Sequence, residues 1–166
     1  MTTLVVYETM YGRTRDVAEA VANGCESGDD DVRLVEVSGL TSLPDDVTLL
    51  VVGGPTHAFS MTRPGTRSDA QKYGKTISST GVREWLGALE LPPGLPVAAF
   101  CTKLDSPLSG SAARAIANRL TKLGGKLVVP AKDFYVRGTQ PVLLAGQIDR
   151  ARAWGASLIT QVAAGR

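Results

Sequence analysis

The residues best suited to binding chemistry form a short turn near the N-terminus, Thr9-Met10-Tyr11-Gly12-Arg13-Thr14. The apolar run from Leu4 to Tyr7 predicts a buried strand before it, and apolar residues between Val17 and Ala22 recur at helical spacing after it. A turn between a strand and a helix presents unpaired backbone N–H groups at the positive end of the helix dipole, and both favour an anion. The hydroxyls of Thr9 and Thr14 add hydrogen-bond donors. The sequence therefore predicts a phosphate-binding turn.

This turn, from Glu8 to Thr14, differs from the other common phosphate loops. It lacks the Gly-Lys-Ser/Thr ending of a P-loop and the three-glycine spacing of a dinucleotide-binding fingerprint, which argues against nucleoside triphosphates and NAD. The same residues also suit a plain structural turn, in which Gly12 adopts a positive φ and Thr14 caps the helix. The residues by themselves leave both interpretations open.

The rest of the chain alternates apolar strands with amphipathic helices. Leu49 to Val52 form a continuous apolar run that ends in a turn at Gly53-Gly54-Pro55, which is typical of a central strand buried on both faces. Val32 to Val37 alternate apolar and polar residues, as a half-exposed edge strand does. Trp85 and Trp154 are expected to be buried on the sheet side of their helices. The predicted strands are 4–7, 32–37, 49–52, 97–100 and 127–129, and the later helices are 81–89, 111–123 and 145–163.

Alternating strands and helices predict an α/β doubly wound fold, in which right-handed crossovers place helices on both faces of a parallel sheet. We expect a three-layer sandwich with a five-stranded sheet of order 2-1-3-4-5. In such a sheet the ligand lies outside the carboxyl ends of the strands, at the point where the strand order reverses. For this order the important loops follow Tyr7, Val52 and Phe100.

Composition limits the possible functions. At 166 residues with 43% hydrophobic content, the chain suits one domain over residues 1–166. No apolar run approaches the roughly 20 residues that cross a bilayer, and no secretory signal is evident, so we expect no membrane partner and a cytoplasmic location. Cys25 and Cys101 lie far apart without metal-ligand spacing, which suits a reducing compartment. A net charge of +2 is too small to indicate nucleic acid.

The loop after the third strand runs from Gly53 to about Thr80, and loops of that length are usually functional or disordered. His57 is the only histidine; it has either an acid–base role or a packing role within the loop. Phe59 either stacks on a ligand ring or anchors the loop. The basic residues between Met61 and Lys75 form either a solvated surface or a region that attracts an anionic substrate, a nucleotide or an acidic partner; they are Arg63, Arg67, Lys72 and Lys75.

The pattern Thr-x-Tyr-Gly-x-Thr at 9–14, with the Gly-Pro-Thr that ends at Thr56, resembles the flavodoxin family. The resemblance implies a non-covalently bound FMN, with its phosphate in the loop 8–14 and its isoalloxazine ring between the loops 53–61 and 101–110. The family often has asparagine where this chain has Arg13, and a tyrosine in the loop where Cys101 to Gly110 contain no aromatic residue. That leaves Tyr135, Phe134 or a partner subunit to cover the ring. The implied cofactor-binding residues are Thr9, Met10, Tyr11, Gly12, Arg13, Thr14, Pro55, Thr56, His57, Ala58, Phe59, Thr102, Lys103 and Asp105.

Taken together, these features predict an FMN-binding electron-transfer protein that exchanges electrons with a redox partner protein or with a small-molecule donor or acceptor. An electron carrier and a small NAD(P)H or quinone oxidoreductase both remain open. The alternative is a binding or regulatory module of the same fold that has lost FMN or holds another phosphate-bearing ligand. No side chain is required for covalent or acid–base chemistry, no metal site is expected, Cys101 is expected to be a buried thiol, and the oligomeric state stays open.

Overall fold

The computed structural model describes residues 1–73 and 78–165, and in it a central sheet lies between two layers of helices. The strands are β1 (Thr2–Tyr7), β2 (Asp31–Glu36), β3 (Leu49–Pro55), β4 (Pro96–Leu104), β5 (Lys126–Leu127), β6 (Lys132–Arg137) and β7 (Val142–Leu143). The helices are α1 (Arg13–Cys25), α2 (Pro64–Tyr73), α3 (Val82–Ala88), α4 (Ala112–Lys122) and α5 (Gln147–Ala164), with a short 3-10 turn at Val37–Gly39.

The sheet has the order β2-β1-β3-β4-β6-β7, with β5 paired beside β4. All pairs are parallel except β6 with β7. The predicted class of fold is confirmed, and the five longer parallel strands follow the expected order when β6 takes the fifth place. The predicted strand 127–129 is wrong, because only Lys126 and Leu127 pair there and the fifth long strand is Lys132–Arg137. In β6 the buried residues are Phe134 and Val136, an alternation that a search for continuous apolar runs passes over.

The two central strands extend further than the sequence pattern predicts. Gly53 to Pro55 do not form a turn, since they continue β3 and pair with β4 from Phe100 to Thr102. Gly53 is required there by close packing, because a Cβ at this position would overlap the Phe100 ring. β4 likewise continues to Leu104, so Thr102 and Lys103 belong to a strand and not to a loop.

Alternate residues of the central strands enter two separate cores. Leu4 and Val6 of β1 pack in the layer that contains α3 and α4, whereas Val5 and Tyr7 pack in the layer that contains α1 and α5. β3 is buried along its whole length, as a strand covered on both faces must be, and β2 is half-exposed, as an edge strand is. Trp85 and Trp154 are both buried, one in each core, as predicted.

The long segment after β3 contains a helix, α2, that the sequence pattern does not reveal. α2 begins at Pro64, a favourable residue for a first helical position, but its residues are mostly polar and form no apolar stripe. Arg63 of the predicted basic run is exposed, while Arg67 is buried. The Lys72 side chain and Lys75 lie outside the described residues.

Close packing of α1 against α5 gives a first testable prediction. Gly155 of α5 lies so near α1 that a Cβ would overlap the Val21 carbonyl oxygen, and the Cys25 thiol lies 3.5 Å from the Gly155 carbonyl oxygen. We expect Gly155→Ala to lower the free energy of unfolding by about 1–3 kcal/mol despite alanine's higher helix propensity, because the helices must separate. Urea denaturation measures the change.

Gly87→Ala is the matched control. Gly87 is also helical, but no atom lies within 4 Å of the position that its Cβ would take. This variant should raise the free energy of unfolding by about 0.5–1 kcal/mol through helix propensity alone. Equal stabilisation by both substitutions would contradict the close helix contact.

Candidate functional site

A cavity of about 350 Å³ opens beyond the carboxyl ends of β1, β3 and β4. This volume lies in the range of small-molecule sites, and the position is the one where ligands bind in doubly wound folds. Ten of the residues that the sequence singles out line it: Met10, Tyr11, Arg13, Thr14, Pro55, Thr56, His57, Ala58, Thr102 and Lys103. The other lining residues are Thr66, Asp69, Leu104, Val136, Gly138, Thr139 and Pro141.

The turn after β1 is held by its own hydrogen bonds. The Thr9 hydroxyl accepts a hydrogen bond from the Gly12 N–H at 2.9 Å, so these two residues shape the turn from behind and do not line the cavity. Gly12 has a φ of 88°, a conformation that favours glycine, and it directly precedes α1. The amides of the first helical residues, from Arg13 onwards, have no acceptor within the helix. The turn thus presents N–H groups toward a ligand.

Thr14 does not cap α1, contrary to the structural alternative considered for this turn. It is buried inside the first turn of the helix, and its hydroxyl lies 2.8 Å from that of Thr102 in β4. This hydrogen bond joins the turn after β1 to the carboxyl end of β4. Both hydroxyls face the same cavity, so they bring two chain segments to one ligand position.

Arg13 has a property that suits an anionic ligand. Its Nε atom is buried and has no hydrogen-bond partner within the part of the chain that the structure describes. Its Nη1 atom pairs with Asp16 Oδ2 at 3.2 Å, and the side chain lines the cavity. A buried N–H without an acceptor is costly, and a charged donor binds a phosphate oxygen strongly. The residues at this end of the cavity therefore fit a phosphate group.

The segment after β3 forms a tight turn beside the cavity. His57 and Ser60 exchange two backbone hydrogen bonds, of 2.8 and 3.1 Å, around Ala58 and Phe59. Both of those residues have a positive φ, 47° and 74°, which is uncommon for residues with a side chain. Phe59 is 69% exposed and does not line the cavity, although its neighbour Ala58 does.

His57 is half-buried at the cavity wall. Burial, followed by the positive charge of Arg67, lowers the pKa of its imidazole below the ordinary value. The imidazole is therefore neutral at neutral pH and contributes no charge to the cavity.

The wall formed by β4 and the β6–β7 hairpin is aliphatic. Leu104, Val136 and Pro141 line it, and Asp105 is exposed outside the lining. Phe134 does not cover the cavity, because it is fully buried and packs edge-to-face with Trp154 at a centroid distance of 6.0 Å. Tyr135 does not line the cavity either, and its ring centroid lies 5.7 Å from the Arg150 guanidinium carbon. The expectation that Phe134 or Tyr135 covers a ligand is wrong for this structure.

Two parts of the wall are not predicted by the sequence pattern. Thr66 and Asp69 come from α2, and Gly138 and Thr139 come from the β6–β7 hairpin. The glycine at 138 marks a turn, and this was the available signal for the hairpin. No comparable signal marks α2, because its mostly polar sequence also suits a loop.

Cys101 is a buried thiol, as predicted. The Ser111 hydroxyl donates to Asp133 Oδ1 at 2.6 Å, and the Cys101 thiol lies 3.2 Å from the same oxygen. Burial raises the pKa of Cys101 to about 11, so the nucleophilic thiolate is scarce at neutral pH. Among the described residues, no group of three or more His, Cys, Asp or Glu side chains is arranged to hold a metal ion, and no helix has the length and apolarity to cross a membrane.

The chain belongs to the class of doubly wound α/β proteins with a cavity at the point where strand order reverses. Its fold is that of the flavodoxins. A flavodoxin from the domain Archaea is 21% identical, with a TM-score of 0.69 over 98% of this chain and 99% of its own. Flavodoxin 1 from Bacillus cereus is 13% identical, with a TM-score of 0.71 over 96% of this chain and 98% of its own.

A flavodoxin, WrbA-like protein from Agrobacterium tumefaciens is 19% identical, with a TM-score of 0.62 over 99% of each chain. No family model and no curated protein matches the sequence. The resemblance seen in the sequence is thus confirmed at the level of the fold.

The lowered pKa of His57 gives a prediction that needs no ligand. Because the chain has one histidine, a proton NMR titration should show a single imidazole signal with a midpoint below the ordinary value of about 6.5. The unfolded chain takes up this proton at higher pH than the folded chain. The free energy of unfolding should therefore fall as pH drops through about 6.5 toward the folded midpoint.

His57→Gln should remove this part of the pH dependence. Denaturation at several pH values between about 7.5 and 5.5 compares the two proteins around the unfolded pKa. A midpoint at or above that of a free imidazole would contradict the buried position of His57.

Proposed function

We propose that the protein binds FMN non-covalently in this cavity and uses it for electron transfer. The observation that carries the proposal is the unpartnered Nε atom of Arg13, which lies beside the Thr14 hydroxyl at the start of α1 and at one end of a cavity of about 350 Å³. A buried cationic donor next to free helix amides suits a phosphate monoester.

In this arrangement the chain would hold the two halves of FMN with different segments. The phosphate would be bound by Arg13, Thr14 and the amides that open α1, with Thr9 and Gly12 fixing the turn behind them. The isoalloxazine ring would lie between the 55–58 segment and the end of β4 at 102–104. Phe59 and Asp105, which do not line the cavity, would contact the cofactor only at its edge.

Bound FMN supplies one- and two-electron redox chemistry, and the protein's part is binding, orientation and tuning of the local charge. The cavity residues that would face the ring include a neutral imidazole at His57, the ammonium of Lys103 and the aliphatic side chain of Leu104. The aliphatic wall would exclude water from one side of the ring. The neighbouring cation would favour a ligand whose negative charge increases on reduction.

The comparisons support this proposal because the similar solved structures are flavodoxins by name. We infer a cytoplasmic protein whose partner is a redox protein or a small-molecule electron donor or acceptor. Arg63 is exposed near the entrance side of α2, and Lys103 lines the cavity, so an anionic substrate or an acidic partner would be attracted to this end.

Flavin titration is the decisive experiment. The purified protein, freed of any flavin, is titrated with FMN and with riboflavin while flavin fluorescence is followed. The proposal requires FMN to bind more tightly than riboflavin, because only FMN carries the phosphate. Absence of binding by either flavin would overturn it and favour the alternative, a module of this fold with another phosphate-bearing ligand.

Arg13→Gln tests the phosphate end of the cavity. We expect it to weaken FMN binding about tenfold to a hundredfold, since a charge-assisted hydrogen bond contributes roughly 1.5–3 kcal/mol, and to leave riboflavin binding unchanged. Arg15→Gln is the matched control, because Arg15 is an exposed neighbour that pairs with Glu19 on the outside of α1. Equal losses for both flavins in Arg13→Gln would refute a phosphate-binding role for Arg13.

A reduction assay separates the two kinds of electron-transfer protein. NADH, NADPH or a reduced flavoprotein reductase is added to the FMN-loaded protein without oxygen, and loss of the visible flavin absorbance is recorded. Direct reduction by a nicotinamide cofactor indicates an oxidoreductase. Reduction only through another protein indicates an electron carrier.

A further inference from the structure

A fully buried carboxylate, Glu8, lies immediately after β1 and is only 1% exposed. Its Oε1 atom accepts the backbone N–H of Val82 at 2.7 Å, where α3 begins. Its Oε2 atom accepts the Thr62 hydroxyl at 2.5 Å, just before α2 begins. Burial, the largest cause, raises the pKa of Glu8 above its ordinary value even though both hydrogen bonds oppose that change. A carboxylate in this position connects three chain segments.

The connection continues into α2. The Thr62 hydroxyl that donates to Glu8 also accepts from Arg67 Nη1 at 2.8 Å. Arg67 Nη2 in turn pairs with Glu84 Oε1 of α3 at 2.6 Å. The Arg67 guanidinium fills the space beside Gly81, where a Cβ would overlap it. Glu8, Thr62, Arg67 and Glu84 thus form a continuous polar chain from the end of β1 through α2 to α3.

α2 has few other attachments to the domain. From Pro64 to Asp69, Arg67 is the only buried residue, so this part of the helix buries no apolar side chain. The backbone just before α2 is held by Arg83 of α3, whose guanidinium donates to the carbonyl oxygens of Met61 at 3.0 Å and Thr62 at 3.2 Å. A polar helix that cannot be anchored by hydrophobic burial depends on such contacts for its position.

Other residues of the same helix line the ligand cavity. Thr66 and Asp69 of α2 form part of its wall, whereas Arg67 turns away into the polar chain. The turn after β1 is held separately, because the Thr9 N–H donates to the Ser78 hydroxyl at 2.9 Å and the Ser78 N–H donates to the Thr9 carbonyl at 3.2 Å. Loss of the Glu8 carboxylate would therefore release α2 without releasing the phosphate turn.

We propose that Glu8 is a positioning residue that fixes α2 as a wall of the flavin cavity, acting through Thr62 and Arg67 while making no contact with the ligand. This role rests on the proposed flavin binding. Removing one partner from a buried, charge-assisted chain leaves the others unsatisfied, so the wall should open even in the free protein. The effect should fall on the ring side of the ligand, since the phosphate turn keeps its own hydrogen bonds.

Hydrogen–deuterium exchange of the ligand-free protein tests the structural part. In Glu8→Gln, amides of α2 over 64–73 should exchange about tenfold faster or more, while those of α1 and α4 keep their wild-type rates. Glu19→Gln is the matched control, since Glu19 is an exposed α1 carboxylate that pairs only with Arg15. Unchanged exchange of α2 in Glu8→Gln would overturn the proposal.

Glu84→Gln keeps the test conclusive if Glu8→Gln does not fold. Glu84 is 38% exposed at its side chain, so its loss should be tolerated, and it removes only the last link of the polar chain. This variant should accelerate exchange in α2 by a smaller factor than Glu8→Gln. Wild-type exchange in Glu84→Gln would count against the chain as the anchor of α2.

Flavin titration of the same variants tests the functional part. Glu8→Gln should weaken FMN and riboflavin binding by the same factor, about tenfold, and so leave the ratio of the two affinities unchanged, unlike Arg13→Gln. Faster α2 exchange with unchanged flavin affinity would refute the positioning role. If the wild-type protein binds no flavin, the proposed function fails, whereas the exchange experiment still decides whether Glu8 anchors α2.

Discussion

Parallel pairing of β1, β3 and β4 is the constraint from which the rest of the molecule follows. The register sets Tyr7 beside Gly53, and Gly53 beside Phe100, so that three strands from distant parts of the chain end at one edge of the sheet. All three are buried on both faces, and each leads directly into a wall of the cavity. The walls therefore take their positions from the hydrophobic cores, which are far more resistant to change than a surface loop would be.

Beyond these strands, the molecule changes from hydrophobic to polar organisation. The segment after β3 has too few apolar residues to pack on the sheet, and it is held by arginines and carboxylates instead. Arg67 and Arg83 approach it from opposite ends of the polar chain, and Glu8 supplies the acceptor at the end of β1. Such contacts are directional, so they fix orientation more than they add stability. A cavity wall made in this way is accurate in position yet less stable than the cores.

The two ends of the cavity are different in chemistry. At the end formed by α1, the buried guanidinium edge of Arg13 and the Thr14 hydroxyl offer hydrogen bonds to an anion. At the opposite end, Leu104, Val136 and Pro141 offer an aliphatic surface in place of the aromatic cover that many flavodoxins have. Phe100 and Phe134 belong to an aromatic cluster with Trp154 inside the core, which explains why neither ring is available to a ligand.

The sequence by itself determined the alternation of strands and helices, the class of fold and ten of the residues that line the cavity, because these depend on local periodicity and on the ends of apolar strands. Only the tertiary structure decided the rest. It made Gly53 to Pro55 a strand instead of a turn, because Phe100 packs against the backbone there, and it placed the fifth long strand at Lys132–Arg137. It also revealed α2 and the role of Glu8, since a polar helix without an apolar stripe is defined by partners 54 or more residues away and not by its own pattern.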